Sequence, residues 1–106
     1  KAAVTDLIHN SPCAWVAAED QKIVGFSMII PEDACLFAAF VLPEYENRGI
    51  GKQLVRIAEE TLFQQHEMIW LETGKSTRAA GFYRYTGWGN ETAADEGDIR
   101  LEKRRA

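Results

Sequence analysis

The chain is most constrained at Gly49-Ile50-Gly51, two glycines one residue apart at the junction of an apolar run and an amphipathic one. Before it, Ala34 to Leu42 (ACLFAAFVL) is apolar at nearly every position, as a strand covered on both faces requires. After it, Ile50, Leu54, Ile57, Ala58, Thr61 and Leu62 recur at the spacing of a helix with one buried stripe, while Lys52, Arg56, Glu59, Glu60 and Gln64 take the other side. A glycine turn from buried strand to helix leaves the first helical N–H groups unpaired, at the positive end of the helix dipole. Arg48 and Lys52 add charge beside it, so the helix start suits an anion such as a pyrophosphate. The same glycines also serve simply to turn the chain.

Two other phosphate motifs fail on the same residues. A Walker loop, G-x-x-x-x-G-K-[ST], needs glycine where Glu46 stands and a hydroxyl where Gln53 stands. A dinucleotide fingerprint needs a third small residue at Leu54, in a strand-helix unit that opens the fold.

The flanking segments give the architecture. Ala2 to His9 is mildly amphipathic and reads as the tail of a helix, stopped by Asn10-Ser11-Pro12. Cys13 to Glu19 and Lys22 to Ile30 form a hairpin around Asp20-Gln21, and Pro31-Glu32-Asp33 turns the chain into Ala34 to Leu42. Met68 to Glu72 returns as a strand parallel to the third after the long helix. Ser76 to Tyr85 follows as a second helix with Ser76 as N-cap and Gly87 as stop, and Asp98 to Glu102 is a final strand. This order predicts one small α+β domain over residues 1–106: an antiparallel meander plus a parallel strand pair, with helices on both faces.

Composition narrows the partners. Sixteen acidic against 12 basic residues leave a net charge of −4, no field for a nucleic acid. No apolar run reaches the roughly 18 residues of a membrane span, so the expectation is a protein of the cytoplasm with no membrane partner. Cys13 and Cys35 read as mostly buried thiols rather than a disulfide framework. His9 and His66 have no metal-ligand spacing with them, so no metal is expected.

Val41-Leu42-Pro43 followed by Glu46-Asn47-Arg48-Gly49-Ile50-Gly51 resembles the GNAT superfamily of acetyl-CoA-dependent N-acetyltransferases, whose strand ends in V-x-P before a loop [QR]-x-x-G-x-[GA]. Glu46 departs from that pattern at its first position. Ala79-Ala80-Gly81-Phe82-Tyr83-Arg84-Tyr85-Thr86-Gly87-Trp88 is similar to the late-helix pattern A-x-x-[LF]-Y-x-x-x-G-[FW] of the same family, with Ser76 where an asparagine usually starts the helix. The resemblance runs from about Cys13 to Glu102 and implies an abbreviated front end. Either upstream residues are absent from the sequence or a second subunit, as in a homodimer, covers that edge.

The resemblance implies a sheet splayed between Ala34–Leu42 and Met68–Glu72. Acetyl-CoA would lie in that cleft, its pantetheine against the backbone of Phe40, Val41 and Leu42. Its pyrophosphate would sit on the N–H groups of the loop Asn47, Arg48, Gly49, Ile50, Gly51 and Lys52. Ser76 and Arg78 at the second helix start join the cofactor set, with Lys52, Arg48 or Arg78 for the 3′-phosphate. Tyr83 takes the position that protonates the departing thiolate, and Glu72 the position of a general base. The acceptor is an amine on a small molecule or a peptide or protein N-terminus; the other reading is a non-catalytic acyl-CoA-binding regulatory or dimerisation module.

Overall fold

In the computed structural model the described residues are 13–106 with side chains and Ala3–Thr5 as backbone. Seven strands form one mixed sheet in the order β1-β2-β3-β4-β5-β7-β6: β1 (Ala3–Thr5), β2 (Ala14–Glu19), β3 (Lys22–Ile30), β4 (Cys35–Val41), β5 (Met68–Gly74), β6 (Gly89–Ala93) and β7 (Asp98–Arg104). Two α-helices, α1 (Ile50–Phe63) and α2 (Arg78–Tyr85), follow β4 and β5 respectively. Every neighbouring strand pair is antiparallel except β4 and β5, which are parallel.

The α+β architecture and its parallel pair match the expectation, and three local readings change. Ala3–Thr5, expected within a helix, pairs antiparallel along β2 with Val4 opposite Ala17. Two β-branched residues suit the open edge of a sheet better than a helix start; the rest of that expected helix lies outside the described residues. Gly89–Ala93 is a strand where only polar chain was expected, paired to β7 on one side. Thr77, not Ser76, caps α2. Its Oγ1 accepts the Ala80 N–H at 3.2 Å and donates to the Gly74 carbonyl at 2.8 Å, which fixes the helix start one residue later.

One core holds the layers together. The buried stripe of α1 (Ile50, Leu54, Val55, Ala58, Leu62) and the inner residues of α2 (Ala80, Tyr83) join Trp15, Ala17, Ile69, Leu71, Ile99 and Leu101 in one cluster. Both described helices therefore share one face of the sheet, whereas the sequence alone predicts helices on both faces. Inside that layer, the buried Ser27 donates from Oγ to the Leu54 carbonyl at 3.0 Å, tying β3 to α1 without an orphaned hydroxyl. Gly25 lets the layers close: a Cβ there would stand 2.7 Å from the Phe40 carbonyl oxygen and 3.1 Å from Leu54 Cδ1. Cys35 is a buried thiol and Cys13 is half-buried. No helix among the described residues is long and apolar enough to cross a membrane.

Candidate active site

The site begins where the sheet comes apart. β4 and β5 share one register pair, Cys35 opposite Trp70, backed by a hydrogen bond from the Trp70 N–H to the Ala34 carbonyl at 3.0 Å. Beyond it the strands diverge. A cavity of about 220 Å³ opens beside β4, walled by Ala39, Phe40 and Val41. The loop contributes Glu46 and Asn47, α1 contributes Gly51, Leu54 and Val55, and α2 closes the far bank with Arg78, Ala79, Phe82 and Tyr83.

The glycine loop has the local geometry that its sequence requires. Gly49 is the N-cap of α1 at φ 81°, a left-handed conformation that side chains disfavour, and no side chain caps the helix. Asn47, at φ 65°, shares that conformation, which asparagine tolerates better than most residues. The first turn of α1 carries no acidic residue. Its leading N–H groups thus start at the cleft, where the helix dipole and unfilled donors favour an anion. Ile50 anchors the turn by burying its own side chain in the core.

The expected site residues fall into three groups. Phe40, Val41, Asn47, Gly51, Arg78 and Tyr83 line the cavity. Gly49 and Ile50 shape the turn, and Leu42, half-buried against the core, ends the strand. Arg48, Lys52, Ser76 and Glu72 stand outside the cavity. Arg48 lies 3.4 Å from Glu19 and 4.9 Å from the Tyr45 ring centroid. Lys52 is exposed and lines a second groove between α1 and α2 with Arg56, Phe82, Tyr85 and Lys103. Ser76 is exposed in the turn before α2. Glu72 is exposed on β5, opposite Arg100 of β7.

Tyr83 is the buried one among the titratable residues that line the cavity. Its ring is 6% exposed and sits edge-on to Phe82 at 5.5 Å and to Trp88 at 5.8 Å. Burial, and then the nearby Glu59 carboxylate, push its phenol up to about 12, so it is a proton donor at every physiological pH. The end of α2 is held by a group that sequence reasoning did not pick out. Glu59 of α1 accepts from the Trp88 indole at 3.0 Å and from Lys103 at 2.9 Å, while Lys103 also donates to the Thr86 carbonyl at 3.0 Å. Glu59 read as one more exposed-face acid, and only the fold brings Trp88 to it.

Glu72 has an organised neighbourhood. Trp70 Nε1 donates to the Asp33 carbonyl at 2.8 Å, and Arg100 stacks 4.5 Å over the Trp70 ring. Glu102, which also accepts from Asn90, takes a bond from Arg100 at 3.3 Å. His66 is tied to the Pro31 carbonyl at 2.6 Å and does not line the cavity.

A mixed sheet parted after one parallel bridge, with an uncapped glycine helix start on one bank and a buried tyrosine on the other, is a GNAT-like frame. The chain belongs to the acetyltransferase (GNAT) family, whose sequence model matches residues 2–88. It is 39% identical over 75 residues to the peptidyl-lysine N-acetyltransferase YiaC of Escherichia coli, covering 70% of this chain and 48% of that protein. It is 34% identical over 86 residues to the peptidyl-lysine N-acetyltransferase YjaB of Salmonella typhimurium, covering 80% and 55%. The chain thus spans about half the length of these relatives. Its fold superposes on PaiA N-acetyltransferase from Thermoplasma acidophilum, solved in complex with coenzyme A, with a TM-score of 0.74 and 26% identity over 87% of this chain and 60% of that one.

Proposed function

We propose that the chain transfers an acetyl group from acetyl-CoA to an amine, and that the amine is carried by a peptide, with a lysine side chain as the leading case and a small-molecule amine or peptide N-terminus as further acceptors. The carrying observation is that the glycine helix start and Tyr83 face one cleft from opposite banks. The lysine acceptor rests on the names of the two relatives. An intracellular acyl donor supports a cytoplasmic activity.

Each step then has a residue. The N–H groups from Gly49 to Lys52 bind the diphosphate, and Phe40, Val41 and Leu42 present the cleft edge of β4 to the pantetheine. Glu72, solvent-facing on β5, receives the proton that the acceptor ammonium must lose before it can attack, directly or through water. Attack breaks the thioester bond and forms the amide. Tyr83 gives its phenolic proton to the thiolate that leaves, and the second proton shed by the nitrogen as the amide forms returns to the phenolate, directly or through water, so that Tyr83 is restored.

The test is thiol release from acetyl-CoA with lysine peptides, N-terminal peptides and polyamines, with mass spectrometry of the product. Acetylated lysine above the uncatalysed rate supports the reading. Coenzyme A binding with no turnover on any acceptor favours a non-catalytic module, and no binding at all sinks both.

A further inference from the structure

The residue that breaks the loop pattern does something specific in the fold. Glu46 ends the turn after β4, and its Oε1 lies 2.5 Å from Nη1 of Arg78, the first residue of α2. The two come from opposite banks, and both line the cavity. The ion pair therefore spans the mouth through which a diphosphate reaches the α1 start. Arg78 is 75% exposed, so its guanidinium can swing between partners without disturbing the core.

The charge arrangement around the loop gives the pair its meaning. α1 offers unfilled N–H donors and no acid in its first turn, which favours an anion. Glu46, three residues before Gly49, is a carboxylate at the edge of the same spot, and it already occupies the cation that could reach the ligand. The arginine of the loop itself, Arg48, is likewise engaged elsewhere, with Glu19 and the Tyr45 ring. Arg78 thus has two mutually exclusive acceptors, one built in and one arriving.

Resting on the coenzyme A reading above, we infer that Glu46 is an internal competitor for the diphosphate: it parks Arg78 across the cleft mouth, and ligand entry exchanges the guanidinium from carboxylate to phosphate. Part of the ligand's binding energy is spent breaking this pair. Glu46 sets affinity downward, which speeds release of the spent carrier. Exposed ion pairs are weak, so the effect is at most about fivefold in affinity.

The experiment is calorimetric titration of coenzyme A and of dephospho-coenzyme A into the wild-type chain, Glu46→Gln, Arg78→Gln and the double variant, at low ionic strength. Glu46→Gln is expected to tighten both ligands by about two- to fivefold, Arg78→Gln to weaken both, and Glu46→Gln to have little effect once Arg78 is gone. An unchanged or weaker affinity in Glu46→Gln overturns the proposal. So does a gain that persists in full without Arg78, because Glu46 then acts only as a bare charge. A gain confined to coenzyme A assigns Arg78 to the 3′-phosphate and overturns the diphosphate exchange. A wild-type chain that binds neither ligand refutes the acetyltransferase reading itself, whereas binding without the Glu46 effect refutes only this inference.

Discussion

Glu59 of α1 accepts the indole N–H of Trp88 at 3.0 Å across 29 residues of sequence, and through that bond the long helix fixes the end of the helix that carries Tyr83. Lys103 completes the junction by bridging Glu59 to the Thr86 carbonyl. Lys103→Met leaves a largely buried carboxylate with one donor in place of two. The expected cost is about 1–3 kcal/mol, read as a lower midpoint in chemical denaturation. A midpoint equal to the wild type's would show the bridge to be decorative.

Tyr83→Phe keeps the ring packing and removes the proton donor. Turnover should fall by about 10²- to 10⁴-fold with coenzyme A affinity nearly unchanged. Because the folded phenol is raised from 10 to about 12, Tyr83 stays protonated and supports folding fully below pH 10, and that support is lost as pH rises toward 12. Phenolate absorbance should show one tyrosine titrating late that is missing in Tyr83→Phe. In Glu59→Gln the same group should titrate earlier, since one of its two causes is gone, while burial, the larger cause, keeps it raised.

Cys35 offers a second titration with the same sign. Burial, then Asp33 and Glu72, raise its thiol from 9 to about 11 against a smaller opposing effect of Arg100. Its contribution to stability is complete below pH 9 and disappears as pH climbs through 11. At pH 8 the raised pKa lowers the thiolate population by roughly 100-fold relative to the unfolded chain, so alkylation of Cys35 should be much slower in the folded chain. Mass-spectrometric footprinting of the folded and denatured chain measures this; equal labelling rates would contradict it.

Three glycine-to-alanine changes should move stability in different ways. Gly25→Ala drives a methyl into the Phe40 carbonyl at 2.7 Å, so β4 or α1 must shift, at a cost of about 1–3 kcal/mol. It should also weaken cofactor binding, because Phe40 is part of the cleft wall. Gly49→Ala meets no atom within 4 Å but forces alanine to φ 81°, costing about 1–2 kcal/mol. Gly81→Ala sits exposed inside α2 with nothing within 4 Å and should stabilise by about 0.4–1 kcal/mol. Thermal melts of the three rank the effects, and a stabilised Gly49→Ala would refute the strained-turn account.

What was legible in the sequence was local. The switch from the apolar run at Ala34–Leu42 to the stripe of Ile50, Leu54, Ala58 and Leu62 is written in adjacent residues, so strand, turn and helix could be read with nearly the observed bounds. β6 left no such mark, because an edge strand with exposed Asn90, Glu91, Thr92 and Ala93 buries no face and shows no alternation. The cap of α2 was misplaced by one because Ser76 and Thr77 are both capping residues, and periodicity cannot say which hydroxyl reaches the Ala80 N–H. Pairings such as Glu46 with Arg78 and Glu59 with Trp88 join residues 32 and 29 apart. Nothing short of the fold reveals them.

The single bridge between Cys35 and Trp70 makes the sheet behave as a pair of shears pinned at one end. Val41 lies six residues past the pin, an arm of about 20 Å at the rise of a strand. A rotation of about 3° at the pivot then moves the arm's tip by about 1 Å. The bonds that hold Trp70 to Ala34 and Asp33 lie at the closed end of that gap, away from the glycine loop. One tryptophan marks the point where the two halves of the sheet meet.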